Sequence, residues 1–114
     1  MTLPKGRAAI LSIYIDDGER YEHRPLHQVI LDLLLERGIA GATLFKGMSG
    51  YGSDGVRHTS TILRLMENMP LKIEVVDEEE KLRGLMEDLD RLITKGLVIL
   101  SPTEVLISKF EPHR

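Results

Sequence analysis

The sequence predicts an α+β fold: a ferredoxin-like βαββαβ sandwich, with an antiparallel sheet and two helices on one face. Two observations carry that expectation. Strand-like and helix-like apolar periods follow one another in this order, and each half of the chain reads as strand, helix, strand. Both faces of the first strand, Ala8 to Ile15, are also mostly apolar, as in a central strand. At 114 residues the chain has room for one domain over residues 1–114, with an N-terminal tail at 1–7 and a long loop at 47–70. A content of 42% hydrophobic and 29% charged residues excludes a disordered chain.

In the first strand, Ala9, Leu11, Ile13 and Ile15 alternate with Ala8, Ile10, Ser12 and Tyr14. Asp16-Asp17-Gly18-Glu19 then supplies turn chemistry, and Pro25 suits the start of a helix. Leu26, Val29, Ile30, Leu33 and Leu34 follow the helical period, and Gly38 stands where a left-handed C-terminal cap belongs. Ala42 to Met48 reads as the second strand. It runs into Gly47, Gly50, Gly52 and Gly55, where regular structure is expected to stop; Thr59 to Met69 has the spacing of a short helix or packed loop. Leu71, Ile73 and Val75 alternate with Lys72 and Glu74 as the third strand. Asp77 and Glu80 form a helix-start signature, and Leu82, Leu85, Met86, Leu89, Leu92 and Ile93 give the second apolar stripe. Lys95-Gly96 is expected to end that helix. Leu97–Leu100 and Val105–Ile107 form one final strand, interrupted at Ser101-Pro102.

Several functions are disfavoured by composition. A net charge of −3 carries no overall footprint for nucleic acid, and neither middle strand has the stacking aromatics of an RNA-binding module. The absence of cysteine removes disulfides, thiolate metal sites and a thiol nucleophile. No apolar run reaches the length needed to span a bilayer, so a soluble cytoplasmic protein is expected. His23 and His27 are too few to make a metal site, and Asp16, Asp17 and Glu19 read as an exposed acidic turn before a cation site. No metal is therefore expected.

The informative segment is the connection after the second strand, far longer than the roughly 2–5 residues of a hairpin. Its glycines let successive N–H groups converge on an anion, while Lys46, Arg57 and His58 offer charge and Ser53 or Thr59 a hydroxyl. A phosphate-bearing ligand fits this composition. So does a set of glycines that merely permits bulges and a mobile tip. The segment is not a P-loop, and its Gly50-x-Gly52-x-x-Gly55 does not open a dinucleotide-binding helix.

Lys46-Gly47 followed by Gly50-Tyr51-Gly52-x-x-Gly55-x-x-His58-Thr59 resembles the base of the T-loop of PII signalling proteins, although the spacing does not agree at every residue. The chain resembles still more closely a PII-like family of unknown function, sometimes encoded beside fluoride-channel genes. That likeness runs through Ile13-Tyr14-Ile15, Arg24-Pro25-Leu26, Met69-Pro70-Leu71, Glu74-Val75-Val76-Asp77 and Gly96-Leu97-Val98. Its most distinctive stretch is Gly38-Ile39-Ala40-Gly41-Ala42-Thr43. The resemblance implies a homotrimer with ligand clefts between subunits, an adenine nucleotide as regulatory ligand in place of any cofactor, and a regulated partner protein such as a membrane transporter or channel. Carried over position by position, Lys46, Gly47, Gly50, Tyr51, Gly52, Ser53, Gly55, Arg57, His58 and Thr59 would form the ligand-binding loop. Lys95 would replace a basic residue that PII proteins carry in a longer glycine-rich connection, here only Thr94-Lys95-Gly96. Tyr51 lies in the glycine motif and does not match the tyrosine that some PII proteins use for uridylylation.

The expected function is thus a non-catalytic PII-like sensor, in which a bound adenine nucleotide or related phosphate ligand changes the loop and hence its partner. The alternative is a small phosphate-ester hydrolase on the same fold. Against the enzyme, no paired carboxylates and no nucleophile beside a base can be placed from the sequence.

Overall fold

The computed structural model describes residues 5–51, 58–59 and 69–109. In chain order its elements are β1 (Gly6–Asp16), β2 (Arg20–Tyr21), β3 (Arg24–Pro25), α1 (Leu26–Glu36), β4 (Ala42–Lys46), β5 (Ser49–Gly50), β6 (His58–Thr59), β7 (Pro70–Asp77), α2 (Glu79–Arg83), α3 (Met86–Leu92) and β8 (Leu97–Val105). The main sheet has the order β4-β7-β1-β8 with every neighbouring pair antiparallel, which is the ferredoxin-like arrangement. Register follows the hydrophobic pattern: Leu11 stands opposite Val75 and Leu100, and Ile13 opposite Ile73 and Val98. Leu26, Ile30 and Leu34 of α1, and Leu82, Leu85, Leu89 and Leu92 of the second helical segment, close over that face as the core.

β1 begins at Gly6, so Gly6 and Arg7 belong to the sheet and not to a tail; they pair with Val105 and Glu104. β8 is continuous through Ser101-Pro102, where an interruption was expected. It is an edge strand, and a proline there can turn its missing donor side away from the ladder.

Helix α1 ends as its sequence dictates. Gly38 has φ +73°, Ile39 N–H donates to Leu34 C=O at 3.1 Å and Gly38 N–H to Leu35 C=O at 3.1 Å, forming a Schellman cap. Ahead of it, Glu22 and His23 both have positive φ between the paired β2 and β3, as a two-residue type I′ turn requires. That turn was not legible because its residues are not the usual Asn-Gly, and it removes His23 from the helix that carries His27.

The second helix differs from expectation at both ends and in the middle. Asp77 does not cap it but closes β7, and Glu78 is the capping residue, without a side-chain bond. The buried Asp77 carboxylate instead accepts from Ala40 N–H at 3.0 Å and Glu78 N–H at 2.7 Å, with Lys81 Nζ at 3.3 Å. Lys81 also donates to Gly38 C=O at 2.8 Å, so this group ties the α1–β4 connection to the start of α2. A short step at Gly84-Leu85, where Leu85 N–H donates to Leu82 C=O at 3.1 Å, separates α2 from α3 while keeping one buried stripe. α3 then stops at Leu92, with Ile93 already extended, so Gly96 is not its cap.

On the surface, Arg37 and Arg91 both pair with Asp88, joining the end of α1 to α3. Hydrogen bonding from Arg91, reinforced by Arg37, holds the Asp88 carboxyl below its ordinary value of 3.8. A depressed carboxylate contributes stability above the unfolded-state pKa and loses it as pH falls through the folded value. Asp88→Asn should therefore narrow its stability gap to the parent protein as pH drops below about 4, a change that urea unfolding at several pH values will measure and that salt will diminish.

Candidate functional site

The strands place two distant pieces of sequence at one end of the sheet. Gly47 N–H donates to Pro70 C=O at 2.7 Å, and Asp17 N–H to Met69 C=O at 2.9 Å, so the start and the end of the long connection meet beside the end of β1. Ser49 pairs with Thr59 and Gly50 with His58, giving a short ladder where the glycines were expected to exclude regular structure. Of the segment Thr59 to Met69, expected as a short helix or packed loop, Thr59 lies in β6, and residues 60–68 fall outside the described residues.

Beside this ladder lies a cavity of about 180 Å3. Gly50 and Tyr51 line it from the loop, Lys95 and Gly96 from the α3–β8 connection, and Tyr14 and Asp16 from β1. The two segments singled out in the sequence thus share one site. Gly96 explains how they come so close. A Cβ there would lie 2.5 Å from the Tyr14 carbonyl oxygen and 3.1 Å from Ile93 Cγ2, and φ is +155°. Only glycine lets the connection run against β1 at this point.

The other loop residues take different positions. Gly47 is packed against Pro70, where a Cβ would meet Pro70 Cγ at 2.8 Å; its small size serves that approach. Lys46 is ion-paired with Asp17 at 2.7 Å and does not line the cavity. Asp17 also has His27 Nδ1 at 4.0 Å, a buried nitrogen without a hydrogen-bond partner among the described residues. His58 and Thr59 are placed by their backbone pairing alone, and Gly52, Ser53, Gly55 and Arg57 lie outside the described residues. Among the described residues, no cluster of three or more His, Cys, Asp or Glu side chains could hold a metal ion.

Among the cavity residues that sequence reasoning missed are Tyr14, Ile15 and Asp16 of β1, Pro70 and Leu71 of β7, and Leu97 of β8. The signal was present for Asp16: it continues the alternation of Ile10, Ser12 and Tyr14 onto the helix-free face, but its Asp-Gly-rich neighbourhood reads first as a turn. Farther along that face Phe45 is 48%, Leu97 57% and Ile99 41% exposed, an apolar surface that the described residues do not cover. Lys72 lies 5.5 Å from the Phe45 ring, and its hydrogen bond to Glu74 raises its pKa above the usual lysine value. Among the described residues no helix is long and apolar enough to cross a membrane.

Comparison with known proteins agrees with this architecture. The model of the family DUF190, described as Uncharacterized ACR, matches residues 8–105. A UPF0166 protein of Methanocaldococcus jannaschii is 38% identical over 100 residues, covering 87% of this chain and 92% of its own. A UPF0166 protein of Aquifex aeolicus is 31% identical over 97 residues, covering 85% and 91% respectively. Among solved structures, CPII, a nitrogen regulatory PII-like protein from Thiomonas intermedia K12 bound to ADP, AMP and bicarbonate, superposes with a TM-score of 0.68 at 21% identity. That match covers 87% of this chain and 88% of CPII. CPII bound to ADP, AMP and acetate gives a TM-score of 0.64 at 19% identity, over 90% of this chain and 92% of CPII. The fold is therefore PII-like.

Proposed function

Since the chain belongs to the DUF190 family and carries a PII-like fold, we propose that it is a regulatory protein that binds an adenine nucleotide or a related phosphate ligand in the cavity between the loop base and the α3–β8 connection. The observation that carries this reading is the convergence of Gly50 and Tyr51 with Lys95 and Gly96 on one cavity. Lys95 supplies the cation, Tyr51 an exposed ring for a base to stack on, and the loop residues Gly52, Ser53, Gly55, Arg57, His58 and Thr59 the remaining donors. CPII, a structural neighbour, is bound to ADP and AMP, which supports the ligand class.

The exposed apolar residues of the helix-free face support association with further copies of the chain; a homotrimer, the state that the resemblance to PII proteins implies, would bring a neighbour's edge to each cavity and make it a cleft between subunits. Ligand binding would favour one arrangement of the loop, and the loop would report it to a partner protein, a transporter or channel in the membrane being the candidate that family context suggests. In this reading the protein acts by binding and not by turnover.

The test is the melting temperature in the presence of ATP, ADP, AMP, cyclic nucleotides and inorganic phosphate, for the parent protein and Lys95→Ala. A ligand at about 100 times its dissociation constant adds about 2.7 kcal/mol, enough for a shift of several degrees. An adenine-nucleotide shift that Lys95→Ala removes is the expected result. No shift with any nucleotide would overturn the reading, and release of phosphate at a rate set by protein concentration would favour the hydrolase.

A further inference from the structure

The cavity contains a group that a phosphate site does not call for. Asp16 lines it, is only partly exposed, and its carboxylate makes no hydrogen bond or ion pair with any described residue. Its neighbour Asp17 is occupied by Lys46, whereas Asp16 and Lys95 are the acid and the base that the cavity walls offer among the described residues. A carboxylate with no partner among the described residues, in a wall that Tyr14, Tyr51, Pro70 and Leu97 also line, is an acceptor-only group, costly to leave unpaired once a ligand excludes water. It repels a phosphate oxygen placed against it. What it accepts is a pair of donors, and in a nucleotide the neutral donor pair nearest the phosphate is the vicinal diol of ribose, the amino group of the base lying at the far end.

We propose that Asp16 reads the ribose of the bound nucleotide, its carboxylate accepting the 2′- and 3′-hydroxyls while Lys95 attends the phosphate end. The proposal rests on the nucleotide reading above and adds a selectivity to it: ribonucleotides over their deoxy counterparts. The chemistry is that of a site built to hydrogen-bond a hydroxyl, which rejects the analogue lacking it because the buried acceptor is then left unpaired.

The experiment is calorimetric titration of ADP, 2′-deoxy-ADP and 3′-deoxy-ADP into the parent protein, Asp16→Ala and Asp16→Asn, with the mass of each assembly measured by light scattering. The parent protein should bind ADP about tenfold or more tightly than either deoxy analogue, as expected for a hydrogen bond to a charged acceptor. Asp16→Ala should bind all three alike, at the affinity the parent has for the analogues, and Asp16→Asn should fall between. Equal binding of ADP and its deoxy analogues by the parent protein would overturn the role of Asp16 while leaving the nucleotide site standing. A uniform gain in affinity in Asp16→Ala would show that the carboxylate only repels, and a loss of assembly in both variants would assign it to a contact between subunits; either result overturns the proposal. Failure of the parent protein to bind ADP at all would overturn both readings.

Discussion

Asp77→Ala should cost about 3 kcal/mol of folding stability, a loss on the scale seen when one member of a buried ion pair is removed. The residue is fully buried, and its two oxygens accept from the N–H groups of Ala40 and Glu78 beside the Lys81 ammonium. Truncation leaves a void, takes the carboxylate from both N–H groups, and deprives Lys81 of its counter-ion. Because Lys81 also holds the Gly38 carbonyl, the loss should propagate to the cap of α1. This contact gives the stretch Gly38 to Thr43 a structural role, docking the α1–β4 connection against the start of α2. Asp77→Asn, which retains one acceptor, should cost less than Asp77→Ala. Chemical unfolding at fixed protein concentration measures both; equal stability of Asp77→Ala and the parent protein would contradict the latch.

The second large effect is expected at Gly96. Gly96→Ala places a Cβ 2.5 Å from the Tyr14 carbonyl oxygen, with Ile93 Cγ2 at 3.1 Å and Ile15 Cγ2 at 3.2 Å around it. The oxygen belongs to the backbone of the central strand β1 and cannot swing aside as a side-chain tip would. Overpacking and an unfavourable φ together should cost about 3 kcal/mol. In a domain of this size such a loss lowers the melting temperature by roughly 10 °C. Gly96→Ala should also impair nucleotide binding in whatever fraction remains folded, because relief of the clash pushes Lys95 and Leu97 away from Tyr14. Gly84→Ala is the control: its new Cβ would meet only helix carbonyl oxygens at 3.4 and 3.5 Å, ordinary contact distances.

The same residues show what sequence could and could not reveal. The strands were legible because Ala9 to Ile15 and Leu71 to Val75 alternate with period two, and α1 because Gly38 ends a clean helical stripe. Asp77 was misread since an acid three residues before a glutamate has a local meaning, capping, that its long-range partner Ala40 overrides. Gly96 was assigned to a helix end for the same reason: a glycine after a lysine matches a cap, while its true constraint is the Tyr14 carbonyl across the sheet. Both errors come from non-local contacts, which no spacing rule encodes. The candidate site was half legible. The glycine-rich loop announced itself by composition, and Lys95 by resemblance, but their meeting on one cavity depends on the register of β1 with β7 and β8.

That meeting is the central claim, and hydrogen exchange followed by mass spectrometry tests it most directly. On addition of saturating ADP, peptides containing Gly50-Tyr51 and peptides containing Lys95-Gly96 should slow together, with the core of α1 unchanged as the internal reference. Protection confined to one of the two segments, or to the α1 side of the sheet, would contradict a single nucleotide site built from both.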